Sequence, residues 1–298
     1  MLRKVRKIGR MVRAVTARDP ERRVRLLYEL PDPDAQFADR DTRYTNIGYW
    51  ATDDTTVDEA CEAVAVLLAD EVGLDTGQDV LDVGCGYGDQ DFLWLRDRRP
   101  RTITAIDVAP HQVEPAQRRA AAEGVDDRLD FRVGTATELP YPDASFDRVV
   151  TLDAAMHFYT RARFFQEAYR VLRPGGVLGT VDTIPVDGAI PRQEFRTPRF
   201  SLYRFAIPDH NWYDRDEYAT QLAATGFVDE RVTSIRERSW EPWYRHWSRV
   251  AAEPDARRDL PAAAADTLVR DWRDQARIRH EVGLLDYVCA VAVKPAGF

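Results

Sequence analysis

Apolar and polar residues alternate in blocks along the chain from residue 57 onward. Short runs rich in Val, Leu, Ile and Phe predict buried strands, and apolar residues spaced three and four apart predict amphipathic helices. The predicted strands are 79–83, 102–106, 129–133, 146–152 and 177–182, and the predicted helices are 57–72, one from about 90, 113–123 and 161–172. The last helix should stop at the Arg173-Pro174-Gly175-Gly176 segment. This alternation indicates an α/β fold with a parallel sheet and helices on both faces.

The pattern becomes less regular after residue 182. Residues 216–225 and 241–279 predict helices, and 227–235 and 287–293 predict further strands. We divide the chain into an N-terminal helical cap (1–56), a core (57–182) and a remainder (183–298) that completes the sheet and carries two inserts (about 183–213 and 241–283). Ligands bind beyond the carboxyl ends of parallel strands, so we expect these inserts to form a lid that shapes the substrate site. They could equally form an interface in a homo-oligomer.

A chain of 298 residues, 44% of them hydrophobic, is long enough for one large core. No apolar run approaches the roughly 20 residues of a membrane-spanning helix, and the N-terminus lacks the apolar stretch of a signal peptide. We therefore expect a cytoplasmic protein without stable membrane insertion. Cys61, Cys85 and Cys289 are too few for a disulfide framework and lack a zinc-binding spacing, so buried thiols are expected.

The formal net charge of -8 is unevenly distributed, because residues 1–28 carry 10 Lys and Arg against 2 Asp and Glu. The start of the chain predicts a basic amphipathic helix, with apolar residues at helical spacing: Leu2, Val5, Ile8, Val12 and Val15. This helix could contact an acidic membrane or partner protein, but we favour a helix that covers the acidic body. The acidic body would repel phosphates, which argues against a nucleic-acid partner.

One stretch, VLDVGCGYGDQD at 80–91, predicts a ligand site directly after the first strand. Glycines at 84, 86 and 88 allow a sharp turn and bring bare backbone amides close to a ligand. Asp107 ends the second strand, where its carboxylate can accept hydrogen bonds from both hydroxyls of a ribose. Acidic residues after the loop, Asp89 and Asp91, would repel a pyrophosphate but suit a cationic sulfonium ligand.

Four motifs in order make the chain similar to class I S-adenosylmethionine-dependent methyltransferases: VLDVGCGYGDQD, AIDVAP, GTATELPYPDASFDRVV and YRVLRPGG. More specifically, it resembles the erythromycin-type macrolide sugar O-methyltransferases in RVRLLYEL, YTNIGYW, GDQDFLWL, HFYTRARFF and NWYDRDEYATQLAATGF. The resemblance covers about 22–294. It implies a Rossmann-like seven-stranded sheet with N-terminal helices and helical lid inserts. It also implies S-adenosylmethionine as cofactor and a small-molecule natural product as methyl acceptor.

The resemblance also assigns cofactor-binding residues by motif position. Gly84, Gly86, Gly88 and the neighbouring Gln90 would hold the methionine part, Asp107 the ribose, and Val108 and Ala136 would flank the adenine. Many family members have an aspartate that contacts the adenine amine where this chain has Thr135, which can make that contact only weakly.

Three further residues near the cofactor each have two interpretations. Asp82 would orient the glycine loop or meet the cofactor's ammonium group, unless its role is purely structural. Asp153, past the fourth strand, would border the cofactor or cap a loop. Tyr49 would close over the sulfonium, since aromatic rings attract cations, or would serve with Trp50 as a packing anchor.

The position of His157 past the fourth strand and the family resemblance point to it as the base that removes a proton from a hydroxyl acceptor, although a lone histidine can also be a structural residue. Asp182, which ends the fifth strand at the same edge, is predicted to orient His157, to share its proton or to cap a loop. No metal-ligand spacing is visible, so a metal-independent enzyme is expected. The resemblance leaves open C- or N-methylation of an apolar polyketide or terpenoid acceptor, or a cyclase that binds the cofactor without transferring its methyl.

Overall fold

The computed structural model describes residues 12–14, 16–30, 40–188, 207–258, 260 and 262–297. Two predicted features therefore lie largely outside the described residues: the basic helix at the start of the chain and the middle of the insert at 183–213. The features that position the site lie in the described ranges.

Seven strands form one mixed sheet in the order β3-β2-β1-β4-β5-β7-β6. The strands are β1 Asp79–Val83, β2 Thr102–Asp107, β3 Leu129–Val133, β4 Phe146–Leu152, β5 Leu172–Pro185, β6 Val228–Ser234 and β7 Leu285–Val293. Neighbours among β1 to β5 are parallel, and β7 is antiparallel to both β5 and β6. The predicted seven-stranded α/β sheet is confirmed. The predicted domain boundary after residue 182 falls inside β5.

Helices cover both faces of this sheet. They are α1 Pro20–Tyr28, α2 Val57–Glu71, α3 Asp89–Asp97, α4 Pro110–Glu123, α5 Arg161–Val171, α6 Arg215–Thr225, α7 Trp240–Ala252, α8 Ala262–Asp271 and α9 Gln275–Gly283. Successive residues of β1 point to opposite faces, so Val80 packs in a core with α2, α3, α4, α7 and α9, while Leu81 packs in a second core with α5 and α6.

The helix starts follow from local sequence. Thr56 and Glu59 form a capping box that begins α2. Helix α4 begins at Pro110, earlier than the predicted 113, because proline suits the first turn, where its missing N–H costs no helix bond.

The second insert packs on the sheet. Trp243 and Trp272 lie against the same core as Val80, with ring centroids 5.7 Å apart. Among the described residues of 241–283, none lines either of the cavities at the site below. That this insert shapes the substrate site therefore stays a prediction.

Candidate active site

A cavity opens at the carboxyl ends of β1, β2, β3 and β4, with about 720 Å³ of space when the solvent at its open mouth is included. This is the sheet edge where parallel α/β folds bind ligands. A smaller cavity of about 280 Å³ adjoins it, and both are lined by Gly84 and Gly86. The larger cavity also brings together six other residues predicted from sequence, which are Asp107, Val108, Thr135, Ala136, Asp153 and His157. Gly88 and Gln90 line the smaller cavity.

The glycine loop needs glycine for two different reasons. All three residues have φ in the left-handed region, 84° at Gly84, 58° at Gly86 and 79° at Gly88, where a side chain is strained. A Cβ at Gly84 would lie 2.4 Å from the Cβ of Ala154, and one at Gly88 would lie 2.4 Å from the ring of Phe131. A Cβ at Gly86 would meet no protein atom within 4 Å, so this position leaves bare backbone facing the cavities.

The carboxylate of Asp107 is held in place by the backbone. Its Oδ2 accepts a hydrogen bond from the Gly86 amide at 3.1 Å, and its Oδ1 accepts one from the Ala109 amide at 2.8 Å. Burial raises the pKa of Asp107, and these hydrogen bonds oppose that rise. Each carboxylate oxygen has more than one lone-pair direction, so the oriented group can still accept hydrogen bonds from two ribose hydroxyls.

Asp82 lies beneath the glycine loop, fully buried, and lines neither cavity. Gln90 connects it to the loop, because its Nε2 donates to Asp82 Oδ2 at 2.8 Å and to the Cys85 carbonyl at 2.9 Å. Burial raises the pKa of Asp82 to about 7, and Asp91, equally buried beside it, also has a raised pKa. Of the roles predicted for Asp82, this geometry favours orientation of the loop.

Helix α1 covers the end of the cavity nearest β3. Glu21, in its first turn, accepts hydrogen bonds at Oε1 from the hydroxyls of Thr135 and Thr137. Val24, Arg25 and Tyr28 of the same helix also line the cavity. Sequence reasoning missed these residues, although their spacing of three and four residues marks a single helix face.

His157 ends a 3-10 turn that follows β4, Ala155–His157, and only 7% of its surface is exposed. Its Nε2 lies 3.0 Å from the Tyr28 hydroxyl, and the two rings meet edge to face with centroids 5.6 Å apart. Both residues line the larger cavity. The imidazole is therefore oriented by a tyrosine from the N-terminal helix.

Of the roles predicted for Asp182, the described residues show the contact that caps a loop and show no hydrogen bond to the His157 ring. Its Oδ2 lies 2.7 Å from Nε of Arg161, and both side chains are fully buried. Its Oδ1 accepts the amide of Met156 at 2.9 Å. Burial raises the pKa of Asp182, and the Arg161 charge counteracts part of that rise. The Arg161 guanidinium offsets the cost of burying this carboxylate. Asp182 also holds the backbone turn before His157 through the Met156 amide.

Asp153 follows β4 with φ at 56°, a left-handed conformation that aspartate tolerates better than most residues. It lines the larger cavity, and the Thr183 hydroxyl donates to its Oδ1 at 3.5 Å. Burial raises the pKa of Asp153 well above its usual range, and the nearby charge of Asp182 adds to that rise.

Tyr49 lines neither cavity. Its ring packs against the core that contains α2, and its amide donates to the Ala60 carbonyl at 2.7 Å. The preceding Gly48 is needed because a Cβ there would lie 2.7 Å from that of Ala60. The geometry favours the packing interpretation of Tyr49, and Trp50 is likewise buried, with its Nε1 donating to the Ile47 carbonyl at 2.9 Å.

The arrangement fits a ligand that combines a ribose, a purine and a cationic amino-acid part. Bare backbone, an oriented carboxylate and a histidine follow one another around a single cavity. Among the residues that the structure describes, no group of three or more His, Cys, Asp or Glu side chains could hold a metal ion. The described helices include none long and apolar enough to cross a bilayer.

Residues 81–180 match the family model of a methyltransferase domain. The chain is 38% identical to erythromycin 3''-O-methyltransferase of Saccharopolyspora erythraea, over 93% of this chain and 91% of that protein. It is 30% identical to 27-O-demethylrifamycin SV methyltransferase of Amycolatopsis mediterranei, over 83% of this chain and 89% of the relative.

Solved structures with the same fold include the cyclase SpnF, with a TM-score of 0.71, 24% identity and coverage of 94% of this chain and 98% of that one. A putative sarcosine dimethylglycine methyltransferase from Galdieria sulphuraria has a TM-score of 0.70 at 22% identity, covering 94% and 100%. These two likenesses support the fold, and the sequence relatives support the activity. The chain belongs to the class I S-adenosylmethionine-dependent methyltransferases of secondary metabolism, in the macrolide-type subfamily.

Proposed function

We propose that this protein methylates a hydroxyl group of a glycosylated, macrolide-like polyketide or a related natural product. The observation that carries the proposal is the buried His157, which lines the cavity and is oriented by Tyr28. Two relatives whose names denote methylation at an oxygen of an erythromycin and of a rifamycin support the choice of an alcohol acceptor.

An alcohol must lose its proton as the new carbon–oxygen bond forms, so the site needs a base near the acceptor. The bound cofactor supplies a methyl group on a sulfonium, which is already an activated donor. In neutral imidazole one ring nitrogen carries a hydrogen and the other can accept one, so His157 accepts the proton of the hydroxyl at the nitrogen without a hydrogen. Tyr28 holds the ring, and Asp182 holds the turn before it through the Met156 amide. These contacts favour catalysis by alignment and proton removal.

The proposed cofactor placement follows the order of residues around the cavity. Gly84 and Gly86 border the methionine part with bare backbone, and Gln90 supports the loop from the smaller cavity. Asp107 accepts hydrogen bonds from the ribose. The residues that flank the adenine are Val108, Thr135 and Ala136, and Asp153 borders the methionine end near His157.

The test is mass spectrometry of reactions containing the protein, S-adenosylmethionine and matched pairs of deoxysugar-bearing macrolides and their aglycones. We expect one added methyl group on the glycoside, located on a sugar oxygen by fragmentation, and none on the aglycone. Methylation confined to aglycone carbon or nitrogen would contradict the proposal. Cofactor binding without any product, with acceptors that demonstrably bind, would also contradict it and favour a protein that does not transfer the methyl.

A further inference from the structure

Helix α1 runs along the cavity from its β3 end to the end nearest β4. Glu21 and Tyr28 are seven residues apart, so their Cα atoms are separated by about 10 Å along the helix axis. Glu21 reaches Thr135 past β3, whereas Tyr28 reaches His157 past β4. One short helix therefore contacts both ends of the proposed cofactor site.

The β3 end of the cavity contains a carboxylate that no motif predicts. Glu21 is half-buried, and its Oε1 accepts hydrogen bonds from the hydroxyls of Thr135 and, at 3.3 Å, Thr137. These hydroxyls fix the position of the carboxylate at the wall of the cavity. Within the described part of the chain, no hydrogen bond ends on Oε2. The carboxylate therefore keeps acceptor capacity for a ligand.

A purine that extends from a ribose at Asp107 toward β3 meets this end of the cavity. The exocyclic amine of adenine carries two N–H donors and needs an acceptor. Two side chains at this end of the cavity can accept a hydrogen bond. They are the Glu21 carboxylate from α1 and the Thr135 hydroxyl from the segment after β3. The Thr135 oxygen already accepts a hydrogen bond from the Thr137 amide at 3.3 Å, which leaves it less acceptor capacity than the carboxylate. A hydrogen bond to an ionised acceptor is about twice as strong as one to a neutral acceptor.

We infer that Glu21 recognises the adenine amine of the cofactor, with Thr135 and Thr137 holding its carboxylate in place. This inference rests on the proposed placement of the cofactor ribose at Asp107. It makes α1 part of the cofactor site, in addition to its contact with His157. Cofactor selectivity for adenine over a base without the amine then depends on an element outside the sheet.

The test compares two ligands by calorimetry, S-adenosylhomocysteine and S-inosylhomocysteine, in which a carbonyl oxygen replaces the amine. The wild-type protein should prefer the adenosyl ligand by about 10- to 100-fold, the range for a hydrogen bond to a charged group. Glu21→Gln should lower this preference to near one, because the glutamine amide can donate to the carbonyl of inosine and accept from the amine of adenine. The Thr135→Asp substitution in the Glu21→Gln protein should restore preference for adenine.

The matched control is Glu114→Gln, which removes the same charge from an exposed position on α4; it should leave both affinities unchanged. Asp107→Asn should lower the affinity for both ligands and preserve the ratio of the two affinities. A wild-type ratio in Glu21→Gln, with both affinities reduced in Asp107→Asn, overturns the role of Glu21 and leaves the cofactor placement standing. Unchanged affinities in both variants overturn the placement as well.

Discussion

At the scale of single residues, the glycines of the loop differ in whether protein packing or ligand contact requires them. A Cβ at Gly88 would collide with the ring of Phe131, whereas a Cβ at Gly86 would meet no protein atom and would face the cavities. Both have left-handed backbone, so alanine should cost roughly 1–2 kcal/mol of stability at either position. The two positions differ in what the added methyl group would meet.

We predict that Gly88→Ala and Gly86→Ala fail in different ways. Gly88→Ala adds a clash with Phe131, which should lower the unfolding free energy by roughly a further 1–3 kcal/mol. Gly86→Ala should keep most of its stability but lose affinity for S-adenosylhomocysteine, because its methyl group would occupy the cavity. Thermal unfolding and calorimetry on both variants provide the comparison. Equal loss of stability, with full binding by Gly86→Ala, would refute this division.

At the scale of elements, α3 places a second carboxyl beneath the loop. Asp91 and Asp82 are both fully buried, and burial raises the pKa of each. Their mutual repulsion adds to the rise of the Asp91 pKa. Such a pair retains a proton in the folded protein over a pH range in which unfolded aspartates are ionised. The folded state therefore binds more protons than the unfolded state between about pH 4 and about 7.

Because the folded state holds the extra proton, this pair makes stability fall as pH rises through that window. One proton corresponds to about 1.4 kcal/mol per pH unit. We predict that Asp91→Asn makes this slope shallower, because it removes one of the two carboxyls with a raised pKa, while burial still raises the pKa of Asp82. The variant should therefore gain stability relative to wild type from pH 5 to pH 7. Denaturant unfolding at several pH values measures the pH dependence of stability, and Asp126→Asn, at an exposed position, is the control. If the unfolding free energies of Asp91→Asn and of wild type change with pH in parallel, Asp91 holds no extra proton in the folded state.

Most element boundaries could be predicted from sequence, and the exceptions have local causes. Strands β1, β3 and β4 match their predicted ranges because short apolar runs in β1 and β4 and alternating apolar residues in the edge strand β3 both mark strands in the sequence. Strand β5 begins at Leu172, earlier than predicted, since the proline–glycine segment forms a bulge. Phe146 pairs with Leu172 but Arg148 pairs with Val177, so β5 carries extra residues there. The proline and glycines show in the sequence that the helix ends there, but pairing with β4 determines that the segment becomes a bulge in β5.

At the scale of the whole molecule, the site combines a local motif with distant segments. The glycine loop and Asp107 could be predicted because their spacing follows from one strand–turn–helix unit. Glu21 lies 114 residues from Thr135, and Tyr28 lies 129 residues from His157. Such contacts depend on how the N-terminal helix crosses the sheet edge, which a motif does not specify. The burial of Arg161 against Asp182 was missed because it depends on how α5 packs against β5, which a motif does not specify either.

The central claim is that a hydroxyl is methylated in this cavity with His157 as the base. The most direct measurement is single-turnover methyl transfer to an accepted glycoside by His157→Ala under saturating cofactor, with cofactor affinity measured in parallel. We predict transfer slower by roughly 10² to 10⁴-fold with unchanged cofactor affinity, whereas His280→Ala, at an exposed position on α9, transfers at the wild-type rate. A wild-type rate in His157→Ala would contradict the account.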